Sequence, residues 1–103
     1  MTIEELQALP VGSVLEVTDP FDIVPIAYHK YFSNDHRYPV GTRFVVVLPA
    51  SDNRIRVCLE LDSKLIPNDG GAYKVSHINF DTASTCLKYI GETDFVIDEN
   101  LHR

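Results

Sequence analysis

The stretch PIAYHKYFSNDHRYPVG, residues 25–41, concentrates the side chains of this chain that are best suited to binding. It holds four of the ten aromatic residues and two of the four histidines. Tyrosine and arginine are favoured at protein interfaces because they combine a large contact area with a polar end. We expect segment 19–41 to be an ordered loop that binds a protein partner through a shallow groove. The side chains expected to face this groove are Tyr28, His29, Tyr31, Arg37 and Tyr38.

Segment 19–41 is far longer than a normal hairpin connection of ~2–5 residues. It also contains too much apolar surface to be left in water. We therefore expect it to fold back onto a strand scaffold, with Phe21, Ile26 and Phe32 as its anchors. The plainer alternative is that all of its aromatic rings cap the open end of a small barrel, because most aromatic residues are core residues.

A second hypothesis assigns the same loop to a small nucleotide-like anion. Tyr28, Tyr31 and Tyr38 could stack on a base while Lys30 and Arg37 bind phosphate. No glycine-rich phosphate loop accompanies them, because the one Gly-Gly pair of the chain lacks the lysine and the helix start that such a loop needs. A pocket around these rings would favour the ligand, whereas a flat or convex aromatic patch would favour a protein partner.

The sequence predicts neither a metal site nor an active site. His29 and His36 are seven residues apart, whereas zinc ligands usually show tighter pairs, and no third or fourth ligand is evident. Cys58 lies in a predicted strand, where it packs as a small apolar residue. Cys86 lacks the basic surroundings that activate a thiolate, and nothing resembles a nucleophile elbow. We therefore predict a protein without cofactor, metal or enzymatic activity.

The net charge of −6 is distributed unevenly along the chain. Residues 1–28 carry −5 and residues 89–103 carry −3, while residues 29–88 carry +2. If the chain ends lie together, they form an acidic face that suits a basic partner. Such a face argues against direct binding of duplex nucleic acid, which needs a basic surface. A solvated acidic surface that keeps the protein soluble explains the charge equally well.

The location of the protein follows from what its sequence lacks. No run of ~18 apolar residues indicates a transmembrane span, and MTIEELQALP has neither the basic flank nor the apolar segment of a secretory signal. The two cysteines show no C-x-x-C spacing and suggest neither a zinc site nor a disulfide framework. We expect a cytoplasmic protein with reduced thiols and no membrane partner.

The elements that must position the loop are mostly strands. Thr2 and Glu5 have capping-box spacing and predict a short helix that Pro10 ends. The pattern PVGSVLEV at 10–17 returns as PVGTRFVV at 39–46. In each place it indicates a turn leading into a strand, with proline second and glycine fourth in a type I turn.

The clearest strand pair is TRFVVVL with RIRVCLELD. Apolar and polar residues alternate in the second strand, so its apolar face specifies the register. With a four-residue loop, Ala50–Asn53, an opposite-charge pair forms across the strands. The register then pairs Arg43 with Glu60, Phe44 with Leu59, Val46 with Val57 and Leu48 with Ile55.

Downstream, PNDGG predicts a turn, AYKVSHINF a further strand and TDFVIDEN a closing edge strand. DTASTCLKYIG is compatible with a helical turn capped by Asp81 or with a loop entering a strand. About five short strands, a little helix and one long loop result, in a single domain that spans residues 1–103. An edge strand at 94–97, or the aromatic loop, would also allow self-association as a homodimer.

This order of elements resembles an SH3-like small β-barrel over about residues 12–80. A strand is followed by a long loop with acidic and aromatic residues and then by a P-x-G-x-x-φ-x-V entry into a tight meander. The resemblance implies a mainly β fold, a small barrel or a rolled antiparallel sheet, whose long loop helps to form the binding groove. It does not imply recognition of proline-rich peptides, because that family's ALYDY signature and tryptophan pair are absent. In size and charge the chain also resembles accessory proteins of bacterial viruses, which implies a small regulator or inhibitor.

Overall fold

An antiparallel sheet of six strands forms the scaffold of this protein. The computed structural model describes residues 1–24, 26–32, 36–66, 68–69 and 72–97. The helical elements are α1 (Ile3–Gln7), a 3₁₀ helix (Ile26–Tyr31) and α2 (Phe80–Cys86). The strands are β1 (Ser13–Val17), β2 (Phe21–Asp22), β3 (Arg37–Tyr38), β4 (Arg43–Ser51), β5 (Arg54–Leu61), β6 (Lys64–Ile66), β7 (Asn68–Asp69), β8 (Ala72–Tyr73), β9 (Ser76–Asn79) and β10 (Leu87–Glu92).

Five strands of the main sheet lie in the order β10–β1–β4–β5–β6. The sixth strand, β9, also pairs with β5, next to β6. The pairs β2–β3 and β7–β8 form two separate ribbons. The predicted mainly β, antiparallel fold is therefore confirmed. Over the described part of the chain, every helix is too short and too polar to cross a membrane.

The amino-terminal helix is capped as predicted. The Glu5 N–H donates to the Thr2 hydroxyl over 3.1 Å, and the Thr2 N–H donates to the Glu5 carboxylate over 2.9 Å. These hydrogen bonds hold the pKa of the Glu5 carboxyl below its usual value. The helix ends at Gln7, ahead of Pro10, and packs Leu6 into the core.

The two Pro-Val-Gly segments form the same turn, but not the predicted type. In each, the proline carbonyl accepts both the backbone N–H and the hydroxyl of the residue three positions later, Ser13 or Thr42, over 3.1 and 2.7 Å. Proline is therefore the first residue of the turn and glycine the third. Gly12 and Gly41 have φ of 99° and 94°. A positive φ at the third position is typical of a type II turn, which is why glycine is needed there.

The two turns are related by the local two-fold symmetry of the antiparallel pair β1–β4. The Gly12 N–H donates to the Val46 carbonyl over 2.8 Å, and the Gly41 N–H donates to the Val17 carbonyl over 2.9 Å. Gly12 and Gly41 are 29 residues apart, as are Val17 and Val46. The sequence repeat thus reflects one turn-into-strand arrangement that is used at both ends of the pair.

Gly41→Ala is expected to lower the free energy of unfolding by about 1–2 kcal/mol, the usual cost of a left-handed backbone for a residue with a Cβ. A Cβ at Gly41 would meet no atom within 4 Å, so the backbone strain acts alone. Gly41→Asn should recover part of the loss, because asparagine tolerates positive φ. Urea unfolding measures both variants, and an alanine variant as stable as the parent would contradict the assigned turn.

The register of β4 and β5 is confirmed over most of its length, but the predicted loop is wrong. Asp52 and Asn53 form a two-residue turn with φ of 54° and 60°. Such a turn matches the twist of the strands, and these residue types tolerate a left-handed backbone. A bulge beyond Val46 absorbs the difference, so Leu48 lies opposite Arg56 rather than Ile55. The confirmed pairs are Arg43–Glu60, Phe44–Leu59 and Val46–Val57.

The predicted Arg43–Glu60 pair belongs to a longer row of alternating charge. Lys88 lies opposite Glu16, Glu16 opposite Arg43, and Arg43 opposite Glu60, across β10, β1, β4 and β5. The closest ionic contact joins Arg43 Nε to Glu16 Oε2 over 3.5 Å. Exposed pairs contribute only about 0–1 kcal/mol each, so the row helps to specify register more than it stabilises the sheet.

Both faces of the sheet are covered. The inner face packs against α1, α2 and the aromatic loop, and Phe95 and Ile97 lie against the outer face. Residues 44–48 of β4 are consequently all buried, as is typical of a strand with two covered faces. The predicted edge strand at 94–97 is wrong: the edge strand is β10. Residues 95 and 97 instead cover apolar side chains that the outer face would expose, namely Val14, Val45, Val47, Cys58 and Leu65.

The ambiguous segment 81–91 contains both predicted alternatives. Its first part is α2, capped by the Asn79 side chain, which accepts the Thr82 N–H over 2.9 Å; the suggested cap, Asp81, lies inside the helix. Its second part is strand β10. Residues 67, 70 and 71 of the predicted PNDGG turn lie outside the described residues, and the strands β7 and β8 on either side of 70–71 are paired.

Candidate binding surface on the aromatic loop

The loop 19–41 is closed by its own strand ribbon. Phe21 pairs with Tyr38 and Asp22 with Arg37, and the Ile23 N–H donates to the His36 carbonyl over 2.8 Å. Between these strands the chain forms the 3₁₀ helix. The prediction of an ordered loop against a strand scaffold is confirmed for its described residues.

Four aromatic rings fasten the loop to the sheet. The Tyr38 ring lies 5.0 Å from Phe21, 5.6 Å from Phe32 and 4.9 Å from Phe44, measured between ring centroids. Edge-to-face contacts of this kind add to the free energy gained by burial. Phe21 and Phe32 are therefore anchors, as predicted, and the side chain of Ile26 lies outside the described part of the chain.

Tyr38 was expected in the groove, and this prediction of exposure is wrong. Its side chain is 0% exposed because it is the central ring of the cluster. Its hydroxyl lies near the backbone of Val24 but has no hydrogen-bond partner of good geometry among the described residues. Burial raises the pKa of Tyr38 well above its usual value.

Tyr28 is also buried, at 0% exposure, so its predicted place in the groove is wrong as well. Its hydroxyl donates to two backbone carbonyls, Ile66 over 2.7 Å and Lys74 over 2.9 Å. The Cys58 thiol donates to the same Ile66 carbonyl over 2.9 Å. Burial raises the pKa of the Tyr28 phenol, and it raises that of the Cys58 thiol to about 12. Tyr28 thus joins the 3₁₀ helix to the chain around β6 and β9.

We call the side chains that the loop leaves at least partly accessible the loop surface. The imidazoles of His29 and His36 lie 5.2 Å apart between ring centroids. Lys30 Nζ lies 5.2 Å from the centroid of the partly buried Tyr31 ring. Arg37 Nε lies 3.9 Å from Asp22 Oδ1, and its side chain is 60% exposed. The loop surface consists of His29, Lys30, Tyr31, His36 and Arg37.

Of the five predicted site residues, His29, Tyr31 and Arg37 are therefore at least partly accessible, while Tyr28 and Tyr38 are buried. Lys30 and His36 also belong to the surface, although the interface prediction omitted them. The sequence does contain a signal for the position of His36. When Phe21-Asp22 and Arg37-Tyr38 are aligned as antiparallel strands, they form an aromatic pair and an opposite-charge pair. That alignment brings residue 36 back beside the start of the loop.

Two clefts of moderate size are lined by residues that the structure describes. One, of about 250 Å³, is lined by Phe21, Asp22, Val24, His77, Ile78, Asn79 and Thr82. The other, of about 320 Å³, is lined by Val14, Arg43, Glu60, Ser63, Glu92, Thr93, Asp94 and Phe95. Neither cleft includes a residue of the loop surface.

Both thiols are buried, and the described metal-binding residue types do not gather in groups of three or more. Cys58 and Cys86 are free and buried, and burial raises the pKa of Cys86 above its usual value. Thiols of this kind are unreactive, because the thiolate is the nucleophile. Within the described ranges, no three or more His, Cys, Asp or Glu side chains converge as metal ligands.

Comparison with known proteins adds no relative. No family model matches the chain, and neither the curated proteins nor the solved structures contain a match.

Proposed function

We propose that this protein is a non-catalytic interaction module that binds a protein partner through the loop surface, as a small regulator or inhibitor. The observation that supports the proposal is that some side chains of the loop are buried as anchors while others remain accessible. Two tyrosines and two phenylalanines hold it against the sheet, while Tyr31 and four basic or titratable side chains remain accessible. A surface that is ordered before binding loses less conformational entropy when the partner arrives.

The charge of the loop favours an acidic patch on the partner. In residues 21–38, Lys30 and Arg37 balance Asp22 and Asp35, so the rest of the chain carries the whole net charge of −6. The loop surface itself presents two cations, Lys30 and Arg37, on an acidic protein. Complementary charge steers two partners into register and raises the rate of association.

The burial of Tyr28 and Tyr38 also bears on the nucleotide-like ligand. A base can stack only on a ring with an accessible face, and two of the three rings suggested for this purpose are fully buried. The protein partner is therefore the function that the loop supports best.

The test compares the double variant Tyr31→Ala/Arg37→Ala with the matched pair Tyr89→Ala/Arg54→Ala, whose side chains are exposed outside the loop. We expect affinity purification from the native host to recover a partner with the parent and with the matched pair. The loop variant should bind more than about tenfold more weakly, since an interface hot spot costs about 2 kcal/mol or more when truncated. Equal recovery by both double variants, each folded by circular dichroism, would refute the proposal.

A further inference from the structure

We propose that His29 and His36 form a two-histidine site for a divalent transition-metal ion of the zinc class. The two residues come from different elements, the 3₁₀ helix and the residue before β3. The fold brings their rings together although seven positions separate them in the sequence. Neutral imidazole is the commonest protein ligand for such ions.

The ring separation matches what a tetrahedral ion requires. A zinc ion held by two imidazole nitrogens at about 2.0–2.1 Å lies about 3.2 Å from each ring centroid, which sets the centroids about 5.2 Å apart at a tetrahedral angle. The observed separation is 5.2 Å. The centroids of the two rings therefore already lie at the spacing that a shared ion needs.

The backbone on both sides of the site is held by hydrogen bonds. The His36 carbonyl accepts the Ile23 N–H over 2.8 Å, and the His29 carbonyl accepts the Phe32 N–H over 3.2 Å. Both side chains reach solvent, His36 more than His29. An ion can therefore enter, and its remaining positions can take water or a ligand from a bound protein.

The cations beside the site each have a partner of their own. Lys30 Nζ lies over the Tyr31 ring, and Arg37 is paired with Asp22. The Asp22 carboxylate offsets part of the repulsion that Arg37 would exert on a divalent ion, whereas Lys30 keeps its charge. Two protein ligands bind more weakly than the four of a structural zinc site, so we expect reversible binding that the fold itself does not need.

Calorimetric titration of Zn²⁺ into the parent protein at neutral pH tests the proposal. We expect one ion to bind at the loop, and affinity for it to fall at least about tenfold in His29→Ala and in His36→Ala, as for the loss of groups that support a metal site. His77→Ala, which removes an exposed histidine from β9, should bind like the parent. Mg²⁺ should give no binding, because it prefers oxygen ligands.

Absence of Zn²⁺ binding by the parent would overturn the site, as would equal binding by the parent and both loop variants. Circular dichroism shows whether each variant is folded, since both histidines are at the surface. The Tyr31→Ala/Arg37→Ala variant retains both imidazoles and should still bind one zinc ion. The zinc titration therefore tests the metal site independently of the proposed partner-binding function.

Discussion

Tyr38→Ala is expected to lower the free energy of unfolding by about 3–5 kcal/mol, the usual cost of truncating a buried aromatic ring. Tyr38 is the ring at which the loop and the sheet meet, with Phe21, Phe32 and Phe44 around it. Its removal leaves a cavity that these rings cannot fill without moving the loop. For a domain whose whole stability is about 5–15 kcal/mol, this is a large loss.

Guanidinium unfolding followed by circular dichroism measures the effect. Tyr89→Ala is the matched control, because the Tyr89 side chain is 46% exposed on the edge strand β10. We expect the control to stay within about 0.5 kcal/mol of the parent. Similar losses in the two variants would show that Tyr38 is not the centre of the cluster.

Tyr28→Phe is expected to lower the free energy of unfolding by about 1–3 kcal/mol, although the ring itself is kept. The missing hydroxyl removes the side-chain donor of the Lys74 carbonyl and leaves the Ile66 carbonyl with only the Cys58 thiol. A buried polar group without a partner costs about 1–3 kcal/mol. The loss should be felt mainly where the 3₁₀ helix is joined to the chain around β6 and β9.

Tyr38→Phe is the matched control for this change, since it removes the same atom from an equally buried tyrosine. The Tyr38 hydroxyl has no partner among the described residues, so its removal should be neutral or slightly stabilising. If both phenylalanine variants lose the same free energy, the assignment of the Tyr28 hydroxyl as a clamp is wrong. Hydrogen exchange of the amides of residues 26–31 would locate the effect in the loop.

These two tyrosines also bear on the proposed binding through the loop surface. A long connection normally loses conformational freedom when it binds, which weakens the complex. Here the rings beneath the loop remove that freedom during folding. The accessible side chains of the loop surface are consequently presented from a fixed backbone.

Several features of the fold are readable from neighbours in the sequence. The capping box of Thr2 and Glu5 depends on groups three residues apart. The alternation in β5 specifies which face is apolar, and so the pairing of Arg43 with Glu60. The Pro-Val-Gly repeat marked two entries into strands, because proline fixes its own φ and glycine permits a positive φ. In each case the deciding interaction lies within one strand pair or one turn.

Turn geometry was predicted less well, for a reason that is also local. Asp52-Asn53 and Asp62-Ser63 both adopt positive φ without any glycine. Non-glycine residues seldom do so, which made a four-residue loop with an undistorted register the simpler prediction. A bulge in β4, combined with a two-residue turn, keeps the same apolar side chains of the two strands facing the core.

The sequence alone determined that this chain forms an antiparallel, mainly β protein and that segment 19–41 has too many rings to remain in water. Only the tertiary structure decided which of those rings are buried. The acceptors of the Tyr28 hydroxyl are 38 and 46 residues away, at Ile66 and Lys74, and the outer face of the sheet is covered by residues 95 and 97. The burial of a side chain depends on contacts between segments that are distant in the sequence, and a local sequence pattern therefore does not predict it.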